Sequence, residues 1–80
     1  MENKIAVVAI IVSEKNAVER INALLHSFSD YVVGRLGLPY KQKNVNIISI
    51  VMDAPQEIIN SLSGKLGMID GVSSKVLTTK

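Results

Sequence analysis

Apolar residues fall along this chain in four extended runs and two stripes of helical spacing. The first run, KIAVVAIIV from Lys4 to Val12, is continuous and rich in β-branched residues, which reads as a strand. SEKN, from Ser13 to Asn16, stops it. There Ser13 is placed to accept hydrogen bonds from the free amides of a helix start, and Glu14 suits the positive end of the helix dipole. From Val18 the apolar positions are Val18, Ile21, Leu24, Leu25 and Phe28, a spacing of three and four that lines one helical face, with Glu19, Arg20 and Asn22 on the other. SFSD, from Ser27 to Asp30, breaks the helix, and YVVGRL, from Tyr31 to Leu36, resumes an extended pattern.

The second half repeats this order. After the polar loop Lys41 to Asn44, VNIISIVM from Val45 to Met52 is another strongly apolar strand. In DAPQE, Asp53 or Ala54 is expected to cap a helix, with Pro55 in its first turn and Glu57 near its positive end. Ile58, Ile59, Leu62 and Leu66 form the helix's apolar face, and Gly67 marks its end. Asp70 and Gly71 turn the chain into a last strand, Val72 to Thr79, whose Lys75 suits a sheet edge.

Strand, helix, strand, strand, helix, strand, echoed at an offset of about 40 residues, is the mark of a duplicated unit. Two right-handed crossovers sharing one sheet give a single α+β domain over residues 1–80, of the ferredoxin-like βαββαβ kind. The expected architecture is a four-stranded antiparallel sheet with two helices on one face. Its central strands are then the first and third, which are the most apolar runs.

These central strands are apolar on both faces. The first places Ile5, Val7, Ala9 and Ile11 on one side and Ala6, Val8, Ile10 and Val12 on the other. The third places Ile48, Ile50 and Met52 against Val45, Ile47 and Val51. Helices cover one face only, so the other would be a bare patch larger than soluble monomers usually carry. A second copy is the economical cover, and a homo-oligomer, a dimer or a tetramer, is expected over a monomer with an adhesive sheet.

Composition narrows the chemistry. The 48% of hydrophobic residues is carried by aliphatic side chains, the aromatics being Phe28, Tyr31 and Tyr40, and there is no cysteine, so disulfides, thiolate zinc sites and thiol catalysis are excluded. The longest apolar run, Ile5 to Val12, is far shorter than the ~20 residues that cross a bilayer, and no signal-peptide pattern is present; a cytoplasmic location without membrane association is expected.

Catalysis finds little support, because His26 is the single histidine and Glu14, Glu57, Asp53 and Asp70 each have a structural reason for their positions. No catalytic residue, metal ligand or cofactor is assigned. RNA-recognition modules share this element order but stack bases on aromatic residues of the central strands, and here those strands hold none. With a net charge of only +2, direct nucleic-acid binding is not expected, and Arg35, Lys41 and Lys43 form the one local basic group.

GRLGLPY, from Gly34 to Tyr40, is the most unusual stretch. It reads either as a glycine-permitted bend ending an edge strand or as a ligand-binding loop. In the second reading Arg35 is an anion clamp and Tyr40 an aromatic wall, with Gly34 and Gly37 allowing close backbone approach.

IAVVAIIV, AVERINALLHSFSDYVVGRLGLPY, NVNIISIVMDAP and LSGKLGMIDGVSSK together resemble a small family of regulators of the iron-only hydrogenase system. The most specific pieces are Asp30-Tyr31, the Gly-Arg-x-Gly-x-Pro-Tyr pattern and Asp53-Ala54-Pro55. The resemblance implies a ferredoxin-like fold similar to ACT domains and to the C-terminal domain of the nickel-responsive repressor. It implies a non-catalytic oligomeric sensing module, a transcriptional regulator associated with that hydrogenase system, for which a small-molecule effector is a candidate and whose regulatory effect would need either a protein partner or a further mode of DNA contact. That repressor's metal site does not carry over, for want of cysteine and further histidines, and no counterpart of its DNA-binding arm is expected in Met1 to Lys4, ahead of the first strand. By similarity to ACT domains, Ser13 and Glu14 would contact a small molecule against a neighbouring subunit. A nucleic-acid-binding domain and an oligomerisation module without ligand are the alternatives, with an acylphosphatase-type enzyme behind them.

Overall fold

The structure is a computed structural model that describes residues 2–79, so the domain's terminal residues Met1 and Lys80 lie outside the described residues. Strand β1 (Asn3–Val12) leads through a turn into helix α1 (Ala17–Ser27), and a 3-10 turn (Ser29–Tyr31) precedes β2 (Val32–Tyr40). A second 3-10 turn (Lys41–Lys43) joins it to β3 (Val45–Pro55), which runs into helix α2 (Gln56–Gly67) and then β4 (Val72–Thr78). All neighbours in the sheet are antiparallel, in the order β2-β3-β1-β4. This is the ferredoxin-like arrangement expected, with β1 and β3 central.

The core lies between the sheet and the two helices. Ala6, Val8, Ile10 and Val12 of β1 and Ile48, Ile50, Met52 and Ala54 of β3 meet Ile21 and Leu25 of α1 and Ile59, Leu62 and Leu66 of α2. Full burial of each such aliphatic side chain is worth about 1.5–3 kcal/mol. The backbone of α2 lies close over β3, β1 and β4, whereas α1 stands farther off the sheet. At the end of α1, Phe28 closes the core and the Lys65 ammonium lies 5.5 Å from its ring centroid.

Four local expectations are corrected. GRLGLPY is not a bend: β2 continues through Gly37, Leu38 and Pro39 to Tyr40, paired with β3 throughout. An edge strand tolerates a proline, because one side of it needs no donors. The turn lies after it and uses Asn44 in the left-handed conformation, φ 57°. Tyr31, conversely, belongs to the 3-10 turn and not to the strand.

Ser13 does not cap α1. Its backbone N–H and its Oγ both donate to the Gly71 carbonyl, at 2.8 and 3.1 Å, and Asn16 holds the cap position without a side-chain hydrogen bond. The start of α2 shifts likewise: β3 extends through Asp53 and Ala54, and Pro55 becomes the cap. α2 ends at Gly67, as expected, and the chain leaves through Met68. Gly71 does make the turn expected of it, with φ 80°.

Candidate functional site

The bulge at Val33 fixes what faces where on β2. Val32 pairs with Met52 and Gly34 with Val51, so one extra residue sits between them. From there Arg35 pairs with Ile50, Gly37 with Ile48, and Pro39 with Asn46, which puts Arg35 and Gly37 on the helix-covered face. Gly34, Leu36, Leu38 and Tyr40 pair with Val51, Ser49, Ile47 and Val45, and share the bare face. Arg35 and Tyr40 are therefore on opposite sides of the sheet, and the structure does not bring the expected clamp and wall together.

On the covered face Arg35 reaches across to α1, where its Nη2 donates to the Asn22 Oδ1 at 2.5 Å. A groove of about 250 Å³ opens between α1 and the edge strand β2. Leu25, Val32 and Ile50 form its apolar floor, and Asn22, His26, Ser29 and Arg35 its polar rim. The groove lies where α1 stands off the sheet, beside the edge strand β2. Among the described residues no carboxylate lines it, and the guanidinium's partner is a neutral amide. Asn22, His26 and Ser29 were not singled out from the sequence as site residues. Their spacing of four and three, one helical face continued into the following turn, was the signal that groups them.

Tyr40 stands at the far end of β2, where its hydroxyl donates to the Gln42 Oε1 at 2.8 Å. It lines an open cleft with Lys15, Lys41 and Asn44. Ser13 and Glu14 lie elsewhere again. Ser13 is engaged by Gly71, and the Glu14 side chain packs so closely on Gly71 that a Cβ built there would lie 2.6 Å from the Glu14 Cβ. Glu14 also borders a cleft with Asn16, Arg20 and Asp70. A Cβ at Gly34 or Gly37 would meet nothing within 4 Å, so within one chain neither glycine is required by a close approach.

Outside these clefts lies the bare face of the sheet. Ile5, Val7 and Ile11 of β1, Ile47 of β3, Leu36 and Leu38 of β2 and Leu77 of β4 are all exposed on it. Asp53 and Lys75 stand on the same face, on either side of β1. Among the described residues no cluster of three or more His, Cys, Asp or Glu is placed to hold a metal ion, and no helix is long and apolar enough to cross a membrane.

Residues 4–76 match a family model described as "TM1266-like: Iron-only hydrogenase system regulator, putative". Among solved structures the chain is similar to "the structure of uncharacterized protein TM1266 from Thermotoga maritima", with 36% identity and a TM-score of 0.94 over 99% of this chain and 100% of that one. No match is found among curated proteins.

Proposed function

Because the chain belongs to the TM1266-like family of iron-only hydrogenase system regulators, we propose that it is a non-catalytic regulatory module that works as a homo-oligomer and responds to a small-molecule effector. The observation that carries this reading is the bare sheet face, with Ile5 44%, Ile11 48%, Leu36 68% and Leu77 73% exposed in a single copy. Four strands about 4.8 Å apart and roughly ten residues long give a face on the order of 600 Å². A standard interface buries about 800 Å² per partner, so covering this face with a second copy approaches what stable association needs. The charges fit a two-fold arrangement, in which Lys75 of one copy meets Asp53 of the other. Gly34 leaves room on the same face for the approaching strand.

Regulation then passes through a protein partner, since the central strands carry no aromatic residue on which to stack a base and the net charge is only +2. Sedimentation velocity on the purified chain tests the assembly. An oligomer that Ile47→Lys converts into folded monomer supports it. A wild-type monomer at high protein concentration sinks it.

A further inference from the structure

The groove between α1 and β2 has the composition of a ligand site: a concave apolar floor, a few convergent polar groups and one unneutralised cation. Floor residues Leu25 and Ile50 are buried, so the apolar surface is fixed by the core behind it. At the rim, Arg35 spends one N–H on the neutral Asn22 carbonyl. A guanidinium has five donors in a planar fork that matches a carboxylate at two points. His26 and Ser29 line the α1 side of the same groove. We infer that this groove binds a small monocarboxylate with an apolar body, its head on Arg35 and its body over Leu25, Val32 and Ile50.

Size and charge select that class over others. About 250 Å³ holds a ring or a short branched chain. Charge complementarity favours an anion because no carboxylate among the described residues lines the groove, and the apolar floor favours an organic acid over a bare inorganic anion. The Asn22 contact holds the guanidinium over the groove without neutralising it, whereas an aspartate there would occupy the fork.

This inference rests on the reading of the chain as an effector-responsive module, while the groove faces away from the proposed subunit contact, so the two fail separately. The test is titration of the ¹⁵N-labelled full chain with sodium benzoate at constant ionic strength, followed in ¹H–¹⁵N spectra, with benzyl alcohol and inorganic phosphate as comparison probes. Saturable shifts confined to Asn22, His26, Ser29, Val32 and Arg35, with an affinity in the millimolar range, are expected. Benzyl alcohol, phosphate and benzoate on Arg35→Ala should each bind at least about tenfold more weakly. Asn22→Asp, which neutralises the guanidinium in place, should lose benzoate while keeping the wild-type spectrum elsewhere. Absence of saturable shifts, shifts centred on Tyr40 or Glu14, phosphate binding as tight as benzoate, or an Arg35→Ala variant that binds like wild type would each overturn the assignment. Sedimentation of the same samples reads the assembly independently: a monomer that binds benzoate through Arg35 supports the groove and removes the oligomer, and an oligomer that does not bind removes the groove alone.

Discussion

Ile10 and Ile11 are neighbours in β1, of the same residue type, and they lead opposite lives. Ile10 is fully enclosed between sheet and helices, whereas Ile11 on the other face is 48% exposed. The same contrast runs along β3 between Ile48 and Ile47. Hydrophobicity along a strand thus does not say which side is core. The helices decide it, because two helices on one face leave the other to whatever else the molecule can recruit.

The largest break in that comparison is expected on the covered side. Ile10→Ala removes a side chain with no route for water to replace it and should cost about 2–5 kcal/mol in a denaturant titration. Next comes a change that belongs to neither face. Gly71→Ala forces a side chain into a positive φ and against Glu14, and about 1–3 kcal/mol should be lost with the subunit number unchanged; adding Glu14→Gly should return part of it. Ile11→Lys, compared at protein concentrations where both proteins are monomeric, should move stability by no more than roughly 0.5 kcal/mol while abolishing association by sedimentation. A loss as large as that of Ile10→Ala would mean that the two faces differ less than their exposure says. Gly34→Ala sharpens the contrast most finely. The monomer has open space for the added methyl, so any effect seen by sedimentation must come from a second copy, and folding should shift by less than about 0.5 kcal/mol.

Much of the architecture was legible because helical spacing at Val18 to Phe28 and Ile58 to Leu66 is unambiguous, and because the central strands are too apolar to be anything else. What escaped was decided by long-range partners. Ser13 looks like a helix cap from its neighbours alone, yet the Gly71 carbonyl, 58 residues away, takes its hydroxyl. Gly37 and Pro39 look like a turn, yet β3 offers a pairing partner and the edge position forgives the missing donor. The candidate site divided for the same reason. Arg35 and Tyr40 are five positions apart, and in a continuous strand an odd spacing separates them by the thickness of the sheet. Asn22, His26 and Ser29 became neighbours of Arg35 only once the sheet order had put β2 at the edge beside α1.

The bulge at Val33 carries a consequence for how this surface can vary. Val32 and Arg35 are three residues apart, and in an unbroken pleat one of them would point away from the groove that both now line. The extra residue resets the phase of the strand, so that an apolar floor residue and a cation reach the same side from a stretch too short to supply both by alternation. Substitution can change which side chain stands at a position, but not the direction in which that position looks. A single inserted residue does the latter, and it assigns the strand's one positive charge to the helix side, leaving the opposite side to glycine, leucine and tyrosine.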